Sequence, residues 1–156
     1  MKTKNLVLFL LAFSLTSCDP TFFRISIDGG AFEKKISFDC GSIVFHGTVL
    51  ADRQINATLK FNLDYPVLLN PEKLEITHKE EFLTATRISL YERRRGGAWG
   101  VRMQEERMIS GNTEIGIVID RTVHAGDTMK INIDNFILCK ENPLEIGDIN
   151  LIFITR

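Results

Sequence analysis

Apolar and polar residues alternate with a period of two along much of the chain, the pattern of strands with one face in a core and the other in water. The clearest run is INATLKFNL, in which Ile55, Ala57, Leu59, Phe61 and Leu63 share one face and Asn56, Thr58, Lys60 and Asn62 the other. Ile115, Ile117 and Ile119 repeat the pattern, and so do Met129, Ile131 and Ile133. The turn-like His124-Ala125-Gly126-Asp127 between those two runs predicts a hairpin. Further strands are predicted over Phe22–Ile27, Phe32–Phe38, Ile43–Leu50, Thr84–Glu92, Val101–Met108 and Ile149–Ile154, each bounded by Gly, Asp, Asn or Pro. Helical signals are confined to Asn70-Pro71-Glu72-Lys73, where a capping residue precedes a proline and predicts a single helical turn. Short strands at roughly 8–12-residue spacing predict an all-β, antiparallel β-sandwich of immunoglobulin-like architecture, with a small β-barrel as the alternative. Trp99 departs from the immunoglobulin pattern, because it lies in a Gly-rich turn rather than in mid-strand.

At 156 residues, with 44% apolar and 25% charged, the chain can bury one core, and its composition excludes a disordered or collagen-like chain. A formal charge of −1 and no long basic segment give no general attraction to nucleic acid, so no nucleic-acid partner is expected.

The first residues carry an address. Lys2 and Lys4 precede the apolar run Leu6–Leu15, which is too short to span a bilayer as a helix and fits the core of a signal peptide. Leu15-Thr16-Ser17-Cys18 resembles the lipobox of bacterial lipoproteins. That resemblance implies that residues 1–17 are removed and that Cys18 becomes an N-terminus carrying palmitate-like acyl chains. Residues 18–21 then form a lipidated tether, and 22–156 a single all-β domain in the bacterial cell envelope. Buried alkyl chains contribute about 0.8 kcal/mol per CH₂, so the membrane partner is reached through Cys18 alone. Asp19 resembles the inner-membrane retention signal of enteric lipoproteins, a rule that differs among lineages and leaves the leaflet open.

With Cys18 acylated, Cys40 and Cys139 remain as an even pair in an exported protein, the condition for a disulfide. Both continue apolar patterns, and the reading leans towards two free thiols buried as small hydrophobes. His46, His78 and His124 lack metal-ligand spacing, and neither a G-x-S-x-G elbow nor a phosphate loop is present. No metal, cofactor or catalytic residue is therefore predicted. Asn56-Ala57-Thr58 matches an N-glycosylation sequon, and Asp127-Thr128-Met129 resembles the acceptor motif of a bacterial O-glycosylation system.

The most unusual composition is Tyr91-Glu92-Arg93-Arg94-Arg95-Gly96-Gly97-Ala98-Trp99. A two-residue turn at Gly96-Gly97 would set Arg94 opposite Trp99, Tyr91 opposite Arg102, Leu90 opposite Met103 and Arg87 opposite Glu106. Tyr91, Arg93, Arg94, Arg95, Trp99 and Arg102 are thus the candidate contact residues, either as a solvated edge or as a grip on an envelope protein or a glycan. The function expected is that of an envelope lipoprotein acting as a non-catalytic binding or assembly module. The alternatives are a small envelope enzyme and a structural accessory subunit of an envelope complex.

Overall fold

The computed structural model describes residues 23–50, 54–94 and 97–155. The strands begin with β1 (Phe23–Ile27), β2 (Glu33–Phe38), β3 (Gly41–Leu50), β4 (Gln54–Leu63) and β5 (Val67–Leu69). They continue with β6 (Glu75–His78), β7 (Glu81–Leu83), β8 (Arg87–Arg94), β9 (Gly97–Arg102) and β10 (Arg107–Ile109). The last are β11 (Asn112–Asp120), β12 (Thr128–Asn132), β13 (Ile137–Cys139), β14 (Asn142–Pro143) and β15 (Asp148–Thr155).

One layer is a six-stranded antiparallel sheet in the order β2-β3-β4-β11-β8-β9. Facing it is a five-stranded sheet, β1-β15-β12-β6-β7, whose central ribbon continues past a bend as the four-stranded β10-β5-β13-β14. The continuity is visible in the pairing. Ile131 lies opposite Ile76, the Asn70 amide donates to the Phe136 carbonyl at 2.8 Å, and Ile137 lies opposite Leu69. The bend is the single 3₁₀ turn Pro71–Lys73, capped by Asn70 Oδ1 accepting from the Glu72 amide at 3.1 Å, as the sequence predicts. Among the described residues both edges of the six-stranded sheet are unpaired, so the layers form the expected sandwich and not a barrel. Its strand order is not the four-plus-three arrangement of an immunoglobulin constant domain.

Alternation in sequence becomes burial in the fold. Ile55, Ala57, Leu59, Phe61 and Leu63 of β4, and Ile115, Ile117 and Ile119 of β11, all face the opposite layer and are buried. They meet Met129 and Ile131 of β12 and Ile149, Leu151 and Phe153 of β15 in one contiguous core. Each of these side chains other than Ala57 stabilises the fold by about 1.5–3 kcal/mol relative to an exposed one. At one margin, β1 crosses close to β3. A methyl group on Gly47 would sit 3.0 Å from the Ile25 side chain, so glycine lets the layers approach there.

Three expectations are corrected. Residues 115–119 and 129–133 do not form a hairpin: β11 is central in the first layer, with Ile117 opposite both Ala57 and Ile88, and has no free edge for β12. β12 pairs instead with β15 and β6, and residues 121–127 cross between the layers. The strand predicted over Val101–Met108 is divided, ending at Arg102 and resuming as β10 at Arg107. Cys40 and Cys139 are not free thiols but a disulfide with a Cα–Cα distance of 5.9 Å. It fastens the β2–β3 turn of one layer to β13 of the other. Gly41, next to the bridge, has φ +140° and its missing side chain would meet the Asn62 carbonyl oxygen at 2.3 Å, so only glycine fits.

Candidate functional site

The β8–β9 hairpin forms, in a different register from the one expected. Tyr91 faces Gly100, Leu90 faces Val101, Ser89 faces Arg102, Glu92 faces Trp99 and Arg94 faces Gly97. The observed partners sum to 191 where the expected ones sum to 193, a slide of two residues. Arg94 is therefore not opposite Trp99, nor Tyr91 opposite Arg102. Arg87 lies across from Val118 rather than Glu106, which instead accepts from Asn70 Nδ2. A two-residue slip preserves the faces of the strands, so Tyr91 and Arg102 remain on one side of the sheet. The side chains of Arg93, Arg94 and Trp99 lie outside the described residues, as do Arg95 and the whole of residues 1–22, including Cys18.

That side is the outer face of the six-stranded sheet, turned away from the core. Arg87, Ser89 and Tyr91 project from β8, with Gly100 and Arg102 beside them on β9 and Gly116 on β11. A side-chain carbon on Gly116 would come 2.6 Å from Tyr91 Cε2, and one on Gly100 would come 3.1 Å from Cε1. The phenol ring thus occupies the space that two glycines leave on either side of it. Ser89, two residues along the same face, is only 4% exposed. Arg87, Ser89, Tyr91, Gly100 and Arg102 together line a shallow open depression. Two neighbouring depressions share its margin, one through Tyr91 and the other through Arg102. Arg87 and Arg102 are exposed and make no hydrogen bond or ion pair among the described residues.

A second polar cluster lies where the crossover 121–127 meets the β6–β7 hairpin. His78 is 2% exposed. Arg121 Nε donates to its Nδ1 at 3.2 Å, so the ring proton sits on Nε2 and points to Asp127 Oδ2, 3.3 Å away. Asp127 also accepts from the His124 amide at 2.9 Å and pairs with Lys79 at 3.0 Å, while Arg121 pairs with Glu81. Burial alone would raise the Asp127 carboxyl. The bonds from Lys79, the His124 amide and His78, with the Lys79 charge, outweigh it and hold the group at about 2. These bonds tie the crossover residues Arg121, His124 and Asp127 to His78, Lys79 and Glu81 of the hairpin, an arrangement that pins the crossover. Among the described residues, no group of three or more His, Cys, Asp or Glu is placed to hold a metal ion.

Tyr91 and Arg102 were legible as contact candidates, whereas Arg87 entered only as a partner for Glu106, and Ser89, Gly100 and Gly116 were not singled out. One signal was available: Gly116 interrupts Ile115-Ile117 in mid-strand, where a glycine marks close approach by another group. Compared with protein-family models, curated proteins and solved structures, the chain matches none.

Proposed function

We propose that the protein is an envelope lipoprotein, anchored through Cys18, whose sandwich presents the β8–β9 face as a non-catalytic binding surface. The observation that carries this reading is the open depression around Tyr91, edged by Arg87 and Arg102. Unpaired guanidinium groups beside an aromatic ring form a composition enriched at recognition surfaces. An open polar face of this kind offers contact area without the convergent, water-excluding groups that catalysis requires. Support for export comes from the Cys40–Cys139 bridge, which forms and persists in oxidising compartments. The lipobox-like Leu15-Thr16-Ser17-Cys18 supports the anchor.

Site-directed photo-crosslinking in intact cells tests the surface. A crosslinker at Arg102 is expected to yield an adduct, and one at the exposed Glu145, in the other layer's loops, none. Equal labelling at both positions, or labelling at neither, would remove the β8–β9 face as the binding surface.

A further inference from the structure

We infer that the depression around Tyr91 is a subsite for an acidic saccharide, with a sugar ring on the phenol face and its carboxylate or sulfate on Arg87 and Arg102. This deepens the binding-surface reading and rests on it. Arg102 stands directly opposite Ser89 in the ladder, and Arg87 and Tyr91 flank Ser89 along β8. Arg102 is thus a diagonal neighbour of both, at the roughly 7–8 Å that separates such positions. Two guanidinium groups at that spacing can converge on one anionic group from different sides. Neither is used by the fold, since neither has a partner among the described residues.

Gly100 and Gly116 leave their side-chain space to the phenol ring and Ser89 is buried, so a sugar would rest on the outward face of the ring. Tyr91 is half-buried, held by its contacts with Gly100 and Gly116, so little side-chain entropy is lost when a ligand stacks on it. An acidic peptide fits less well. A peptide gains affinity on a sheet by pairing its backbone with a free edge, here that of β9, which would place it one strand further out than Arg87 and Tyr91 of β8. A sugar needs no such pairing. It offers an apolar C–H face to the aromatic ring and its acid to the arginines.

Titration of the full-length protein with an oligogalacturonide and a heparin-derived oligosaccharide tests the inference, with the fully methyl-esterified galacturonide and polyglutamate as controls. Saturable binding of at least one acidic saccharide is expected. The esterified form should bind about tenfold or more weakly, the effect of losing a charge-assisted hydrogen bond. Arg87→Gln with Arg102→Gln should weaken binding about tenfold or more without moving the thermal midpoint, because both side chains are exposed. Tyr91→Phe should retain binding, and Gly116→Val, which displaces the ring, should lose it. Binding of neither saccharide, indifference to esterification or to the arginine pair, or equal binding of polyglutamate would each overturn the saccharide site. A protein adduct at Arg102 in the crosslinking experiment would then leave the binding surface standing without it.

Discussion

Asp127 shows how one side chain can secure a crossover. Its carboxyl is held at about 2 against an ordinary 3.8, so the charged form is favoured in the folded protein. A depressed carboxylate contributes stability that is fully present above the unfolded value and lost as pH falls through the folded one. The contribution is on the order of 1–2 kcal/mol, discounted because Lys79 is more than half exposed and screened by solvent. Asp127→Asn should therefore lower stability by about that amount at pH 7, while the gap from the natural protein closes between about pH 4 and pH 2. Urea unfolding across that range checks it. A gap independent of pH would mean that the carboxyl titrates alike in the folded and unfolded protein and that its partners do not favour the ionised form.

At the scale of elements, long strands were legible and short ones were not. β4, β11 and β15 each carry three or more alternating apolar residues, and β12 carries two with Ile133 just beyond it, enough for the period to stand out. β7, β13 and β14 are two or three residues long and carry no readable period. Their turns were concealed as well. Lys79-Glu80 and Lys140-Glu141 each bridge a two-residue hairpin with both φ angles positive, a conformation that usually shows itself as Asn-Gly or Asp-Gly. Pairing across layers was illegible for another reason: an alternating strand reveals which face is buried but not which neighbours it has. Site residues followed the same division, because Tyr91 and Arg102 stand out by chemistry, whereas Ser89 and Gly100 matter only for what lies beside them.

The Lys-Glu turns yield a prediction at this scale. A non-glycine residue in the left-handed region costs about 1–2 kcal/mol. Lys140-Glu141→Asn-Gly should thus stabilise the protein by about 1–2 kcal/mol, less the small contribution of Lys140 over the Tyr65 ring at 5.3 Å. A rise in the urea midpoint checks it, and an unchanged midpoint would show that the turn carries no strain.

For the whole molecule, the two layers share one core and one covalent link. The Cys40–Cys139 bridge closes a separation of 99 residues, for which loop entropy predicts about 4.7 kcal/mol, within a usual range of about 2–5. Proximity of the two cysteines arises only when β2–β3 and β13 come together from distant parts of the chain, which is why their spacing could not decide between bridge and free thiols. The central claim is that this sandwich is exported, anchored at Cys18 and closed by that bridge. Mass spectrometry of the protein extracted from cells, alkylated before any reduction, tests it most directly. The N-terminal peptide should begin at Cys18 and carry acyl chains, and Cys40 and Cys139 should appear as one linked, unalkylated peptide pair. A chain that retains the residues before Cys18, or alkylated Cys40 and Cys139, would contradict it.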